Sequence, residues 1–247
     1  MSVRKWAETI INPYFIFQGI DSRVMGVIVT SMPEVVKPKK RVELVEIAGR
    51  SGVLHIDDDS FENYTKTIEC AIQKRKKIDE ICAWLNGEGE LILSTEPEKK
   101  YMASIYNQIS ISKMMNVFQK FQINFDVYPF KYSVNDVNDV LELKQTPVVV
   151  YGKGTIFANP IITIYGTGSV TLDVNGSAYT ITNISEFVTI DSEMMEVFKN
   201  GVSWANYYTP PQDINKNLFP ILEIEKNTIS WTGNVDKIVI QSRWRWL

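Results

Sequence analysis

Apolar and polar residues alternate along most of this chain, and only one stretch keeps helical spacing. Over 117–127, Val117, Phe121, Ile123, Phe125 and Val127 fall on one side at period two, with Gln119 the polar exception, which predicts a half-buried strand. Ile68, Cys70 and Ile72 repeat the pattern over 64–72, and Val42 and Leu44 do so, less cleanly, over 41–47. The runs 14–17 and 24–30 are aromatic and β-branched and stop at turn-forming sequences, Gln18-Gly19-Ile20-Asp21-Ser22 and Met32-Pro33. Two further strands are predicted at 90–94 and 101–110, and Asp57-Asp58-Asp59-Ser60 reads as a turn. Ile78, Ile81, Cys82 and Leu85 stand at i, i+3, i+4 and i+7, one apolar stripe of a helix that Asn86-Gly87 terminates.

The pattern breaks between 131 and 144, a polar stretch that holds Asn135-Asp136-Val137-Asn138-Asp139 and suggests a boundary. We therefore expect two domains, 1–132 and 133–247. The second reads as about seven or eight short strands, with turns at Gly152-Lys153-Gly154, Gly166-Thr167-Gly168, Asn175-Gly176 and Asn200-Gly201. Asn175-Gly176 is the strongest hairpin signal, because a type I′ turn needs positive φ at both central residues. The expected fold class is mostly β, a sandwich or jelly roll with a single helix in the first domain.

Composition narrows the function. Hydrophobic residues make up 45% of the 247 and charged residues 22%, ordinary values for a folded chain, while 11 Tyr, 11 Phe and 6 Trp suit β structure and interfaces. A net charge of −3 with no extended basic face argues against nucleic-acid recognition. No apolar run is long enough to cross a membrane. The start, Met1-Ser2-Val3-Arg4-Lys5-Trp6, meets Glu8 without an apolar signal core, so folding in the cytoplasm of the cell that makes it is expected. Cys70 and Cys82 are expected to be reduced, buried, small apolar residues.

Candidate chemistry is sparse. His55 is the one histidine, so no two-histidine metal site forms within a chain, and no Gly-x-Ser-x-Gly elbow presents a nucleophile. Gly152-Lys153-Gly154-Thr155 lacks the spacing of a phosphate loop and reads as a hairpin turn. Asp57-Asp58-Asp59 lacks the alternation and distal glutamate of a calcium loop, and Lys74-Arg75-Lys76-Lys77 reads as a solvated helix start. No carboxylate pair singles itself out for sugar hydrolysis. We expect no enzyme activity, no metal and no cofactor. Lys37, Pro38, Lys39, Lys40 and Arg41 form a stiff basic arm suited to an acidic neighbour. Arg243, Trp244, Arg245 and Trp246 either dock on the core or form an interface, since ends usually fray and these residue types dominate hot spots.

Spaced fragments also point to a family. Phe15-Ile16-Phe17-Gln18-Gly19-Ile20-Asp21-Ser22, Ile47-Ala48-Gly49-Arg50-Ser51-Gly52, Trp84-Leu85-Asn86-Gly87, Leu91-Ile92-Leu93-Ser94, Tyr101-Met102-Ala103 and Phe125-Asp126-Val127-Tyr128-Pro129-Phe130 occur in order in the first half. Asn159-Pro160-Ile161, Ile190-Asp191-Ser192-Glu193, Phe219-Pro220, Asn227-Thr228-Ile229-Ser230-Trp231-Thr232-Gly233 and Arg243-Trp244-Arg245-Trp246-Leu247 follow. Together they resemble the distal tail (Dit) proteins of long, non-contractile-tailed bacteriophages of Gram-positive hosts. The resemblance implies an N-terminal β-sandwich with one helix and a C-terminal galectin-like sandwich. It implies a virion protein forming a homohexameric ring, with the tail tube protein on one face, the tail-associated lysin or hub on the other, and receptor-binding proteins as further partners. The alternative is a carbohydrate-binding module recognising cell-wall glycans, for which Trp204, Asn206, Tyr207 and Tyr208 are the candidate site.

Overall fold

A computed structural model describes residues 12–72, 78–113, 119–135 and 139–247. Val117, the basic run at 74–77, the start at 1–11 and residues 136–138 lie outside the described residues. The chain divides into two compact units, one running up to Lys131 and one from Tyr132 to Trp246.

In the first unit, alternation becomes sheet. Its strands are β1 (Phe15–Phe17), β2 (Ile20–Asp21), β3 (Val27–Ser31), β4 (Lys40–Glu46), β5 (Val53–Phe61) and β6 (Tyr64–Ile72), then β7 (Gly87–Leu93), β8 (Lys99–Ile105), β9 (Ser112–Lys113) and β10 (Gln119–Ser133). The main sheet runs β2-β1-β7-β8-β10-β6-β3, with β10 against β6 in the register Ile123↔Ile68. One core takes Phe15 and Phe17, Leu91 and Leu93, Tyr101 and Ile105, Ile68 and Cys70, and Phe121 to Val127 at alternate positions. Strands β1, β3, β6, β7, β8 and β10 each give a face to that core, so the sheet curls around it. Each fully buried Phe or Leu contributes about 1.5–3 kcal/mol.

Helix α1 (Ile78–Trp84) closes the core with Ile81 and Trp84, and Asp79 and Glu80 suit the positive end of its dipole. Trp84 stacks on Phe15 at 5.5 Å and 2° and donates from Nε1 to the Phe17 carbonyl at 3.0 Å. Cys82 departs from the sequence expectation, since it is exposed while Cys70 is buried. The buried line of this short helix runs through Ile81, Trp84 and Leu85, which turns Cys82 outward. A second correction concerns 57–60: Asp57, Asp58, Asp59 and Ser60 belong to β5 rather than to a turn.

The second unit contains β11 (Val140–Leu143), β12 (Val148–Tyr151), β13 (Ile161–Val174), β14 (Ser177–Asp191), β15 (Glu196–Lys199), β16 (Val202–Ser203), β17 (Tyr208–Thr209), β18 (Lys226–Gln241) and β19 (Arg245–Trp246). Three of these are long, where short strands were expected. β13 lies between β14 and β18, and β18 carries β11 at one end and β12 at the other. Both halves of the long strands feed one core, Ile162 and Ile164 with Val170 and Leu172 from β13, Val188 and Ile190 with Tyr179 and Ile181 from β14. The sheet therefore folds over on itself into two layers, the mostly-β architecture that the alternation predicts.

The bend explains another difference. Gly166-Thr167-Gly168 is a bulge inside β13, not a turn, because pairing with both neighbours resumes beyond it. A side chain at Gly166 would meet the Asn234 carbonyl oxygen at 2.2 Å, so the backbones touch there. Asn175-Gly176, in contrast, forms the expected hairpin, with φ of 54° and 75° and Val174 paired to Ser177.

Candidate functional site

The first unit's most unusual surface is a ribbon. Strands β4 and β5 pair with each other as a separate two-stranded sheet. Their register places Val42 opposite Asp57 and Leu44 opposite His55 on one face, and Glu43 opposite Ile56 and Val45 opposite Leu54 on the other. Leu44 is 59% exposed and Ile56 48% exposed, so apolar side chains reach solvent on both faces. A lone hairpin is marginal in water, and exposed apolar residues on both sides mark it as a contact element.

The predicted arm is the root of this ribbon. Pro38 is buried, so it anchors the segment instead of presenting it. Lys39 pairs with Glu62 at 3.4 Å and Lys40 with Asp57 at 2.9 Å, while Lys37 and Arg41 stay exposed. The Glu62 amide donates to the Lys39 carbonyl at 2.8 Å, and Phe61 meets Phe130 edge-on at 5.6 Å. Lys66 reaches from β6 to donate to the Glu34 carbonyl at 3.2 Å, holding down the segment that leads to the ribbon.

Behind that anchor is a buried charge cluster. Lys131 Nζ lies 2.8 Å from one oxygen of Glu96, and the Tyr101 hydroxyl donates to the other at 2.6 Å. Burial pushes the Glu96 carboxyl up, but the hydrogen bonds from Lys131 and Tyr101 outweigh it and hold the group below its ordinary range. Burial lowers Lys66, which sits 5.0 Å from the Tyr101 ring centroid. Burial, reinforced by the Glu96 charge, pushes Tyr64 up to about 12.

In the second unit, the last residues are turned inward. Arg243 clamps the buried Asp191 with both terminal nitrogens, at 2.7 and 3.1 Å. Trp244 is 2% exposed in the core, and Trp246 packs partly buried against it. Arg245 donates from Nε to the Phe157 carbonyl at 2.9 Å and lies over the Phe157 ring, and burial lowers its pKa. The side chains of Arg243, Trp244 and Arg245 thus meet groups of the second unit, and Trp246 packs beside its core.

The candidate sugar residues come together on one 3-10 turn, Ala205–Tyr207, headed by Trp204. Trp204 packs on the core and donates from Nε1 to the Thr182 carbonyl at 3.3 Å, with Tyr207 tilted against it at 5.2 Å. Tyr208 turns its hydroxyl to the Leu218 carbonyl at 2.6 Å, leaving Asn206 and Tyr207 facing solvent. Gly152 and Thr155 donate their amides to the carbonyls of Glu225 and Arg245, so this stretch is a packed crossing and not a hairpin. Among the described residues, no three His, Cys, Asp or Glu side chains converge to hold a metal.

Residues 22–127 match the phage tail protein RIFT-related domain family. That stretch is similar to a phage tail domain. It spans the ribbon, α1 and most of the curled sheet. The whole chain also has the fold of the Dit protein of phage SPP1, whose crystal structure is described as a paradigm of the hub adsorption apparatus in Gram-positive-infecting phages. The two agree with a TM-score of 0.69 over 95% of this chain and 99% of that one, at 15% identity, a likeness of fold. No curated protein matches in sequence. Phage tail domain and Dit fold agree with the family resemblance carried by the sequence fragments, and with a virion structural protein.

The Asp191–Arg243 clamp and the Glu96–Lys131 pair had no sequence signal. Their partners stand 52 and 35 residues apart, and neither pair carries a motif.

Proposed function

We propose that this chain is a distal tail adaptor. Its copies close a homohexameric ring that joins the tail tube protein to the tail-associated lysin or hub protein and anchors receptor-binding proteins. In this reading 1–132 form the ring, 133–247 form a galectin-like outer domain, and the adaptor is assembled in the host cytoplasm. It acts by geometry, with no covalent step. The observation that carries it is fold agreement with the SPP1 Dit protein along nearly the full length of both chains. The two-faced apolar ribbon supports it, because a ring subunit presents unlike surfaces to its two neighbours.

Light scattering on a sizing column, followed by electron microscopy of the peak, tests the proposal. Six copies of a 28.3 kDa chain give about 170 kDa, and particles with an axial hole are expected. A chain that stays monomeric with the tail tube and hub proteins both present rules the ring out.

A further inference from the structure

The geometry points to a second docking element, in the unit starting at Tyr132: a cleft that takes an apolar side chain flanked by positive charge on a partner protein chain. This proposal rests on the adaptor reading, to which it adds the chemistry of one attachment point.

The cleft holds about 380 Å³. Met194, Met195, Val197, Phe198, Tyr208 and Phe219 line it, and the two methionines, the most exposed of these, mark its mouth. Both walls are preformed. Asp191 Oδ1 accepts the amides of Glu193 and Met194 at 3.0 and 3.1 Å, and the same carboxylate is fixed by Arg243. Across the cleft, the Tyr208 hydroxyl holds the Leu218 carbonyl, and the Tyr179 hydroxyl donates at 3.2 and 3.3 Å to the carbonyls of Asn217 and Phe219.

The mouth is adaptable where the walls are not. Met194 is 65% exposed and Met195 68% exposed, in a turn that holds Met195 at a φ of 55°. Two unbranched, polarisable side chains presented on a fixed turn can close over an anchor of variable shape, as methionine-rich binding surfaces do. An apolar lining between rigid walls fits an aromatic or leucine side chain.

Charge selects the flanks of that anchor. Glu196 is the one charged residue among those lining the cleft, and it is exposed. The nearest lysine along the strand, Lys199, is turned away to Ser185 and Glu186. A partner segment with lysine or arginine beside its apolar anchor therefore complements the site, whereas an acidic segment is repelled.

The test pans a displayed random-peptide library on the full chain and measures binding of the enriched peptides, made synthetically, by fluorescence polarisation. Enriched peptides are expected to carry an aromatic residue or leucine next to Lys or Arg. Met195→Asp, which suits the left-handed backbone, and Glu196→Lys, an exposed charge reversal, are each expected to weaken binding tenfold or more, with unchanged thermal melting. Enriched peptides without the apolar-basic pattern, or equal binding to both variants, overturn the proposal. So does enrichment of nothing, or binding of N-acetylglucosamine oligomers at this cleft in place of peptide. Ring mass is read on the same variants: ring failure with peptide binding intact strikes the adaptor reading alone, and intact rings without peptide binding strike the cleft alone.

Discussion

Glu96 is the residue whose chemistry most clearly sets the first unit's response to pH. Burial raises its pKa, but the carboxylate accepts from Lys131 and Tyr101, and these bonds outweigh burial and hold it below the ordinary carboxylate value. A depressed folded pKa means that the stabilisation is complete above the unfolded value of about 4.3 and is lost as pH falls through the lower folded value. Glu96→Gln is therefore expected to cost about 2 kcal/mol at pH 7, from loss of charge-assisted hydrogen bonds. Urea titrations should show the gap between wild type and variant shrinking by pH 3. An equal gap at both pH values would mean that the carboxylate's charge contributes nothing. Cys70, pushed up to about 12 by burial, should resist alkylation in the folded protein, whereas Cys82 is exposed.

At the scale of elements, the bend in β13 divides glycines that matter from those that do not. A side chain at Gly233 would stand 2.4 Å from the Ser169 carbonyl oxygen, and one at Gly166 2.2 Å from that of Asn234, whereas one at Gly176 would meet nothing within 4 Å. Gly166→Ala and Gly233→Ala are each expected to cost about 2–3 kcal/mol in chemical denaturation, and Gly176→Asn under about 1 kcal/mol. Equal losses at all three positions would contradict tight packing at the bend. The same contrast marks what the sequence made legible. Asn175-Gly176 was readable because its turn type demands a local backbone conformation, and β6 and β10 because one buried face leaves a period-two trace. Gly166-Thr167-Gly168 was not, since a turn and a bulge share a composition and differ only in pairing to strands far along the chain. The strand at Asp57 to Ser60 reads as a turn in the sequence because three aspartates and a serine have the composition of a turn. The ribbon's basic root was visible, but the apolar faces beyond it gained meaning only once the structure showed β4 and β5 pairing with each other as a separate sheet.

For the whole molecule, the proposed ring turns on that ribbon. Leu44→Asp with Ile56→Asp places a charge on each ribbon face without touching the buried core. Sizing chromatography is expected to show loss of the assembled species, while circular dichroism and thermal melting stay as in wild type. Assembly that survives the double change would remove the ribbon from the interface. The two-layer unit carries a different consequence, one of timing. β13 needs β18 on one side, and contacts such as Lys237 with Glu142 join residues 95 apart. On a ribosome the β13–β14 hairpin is complete long before its third strand exists, so one edge waits open, in the condition that invites chain-to-chain pairing. A chain stopped before Lys226 lacks the strand that β11, β12 and β13 all require. Translation that stalls there is expected to leave an aggregating fragment rather than a shortened subunit.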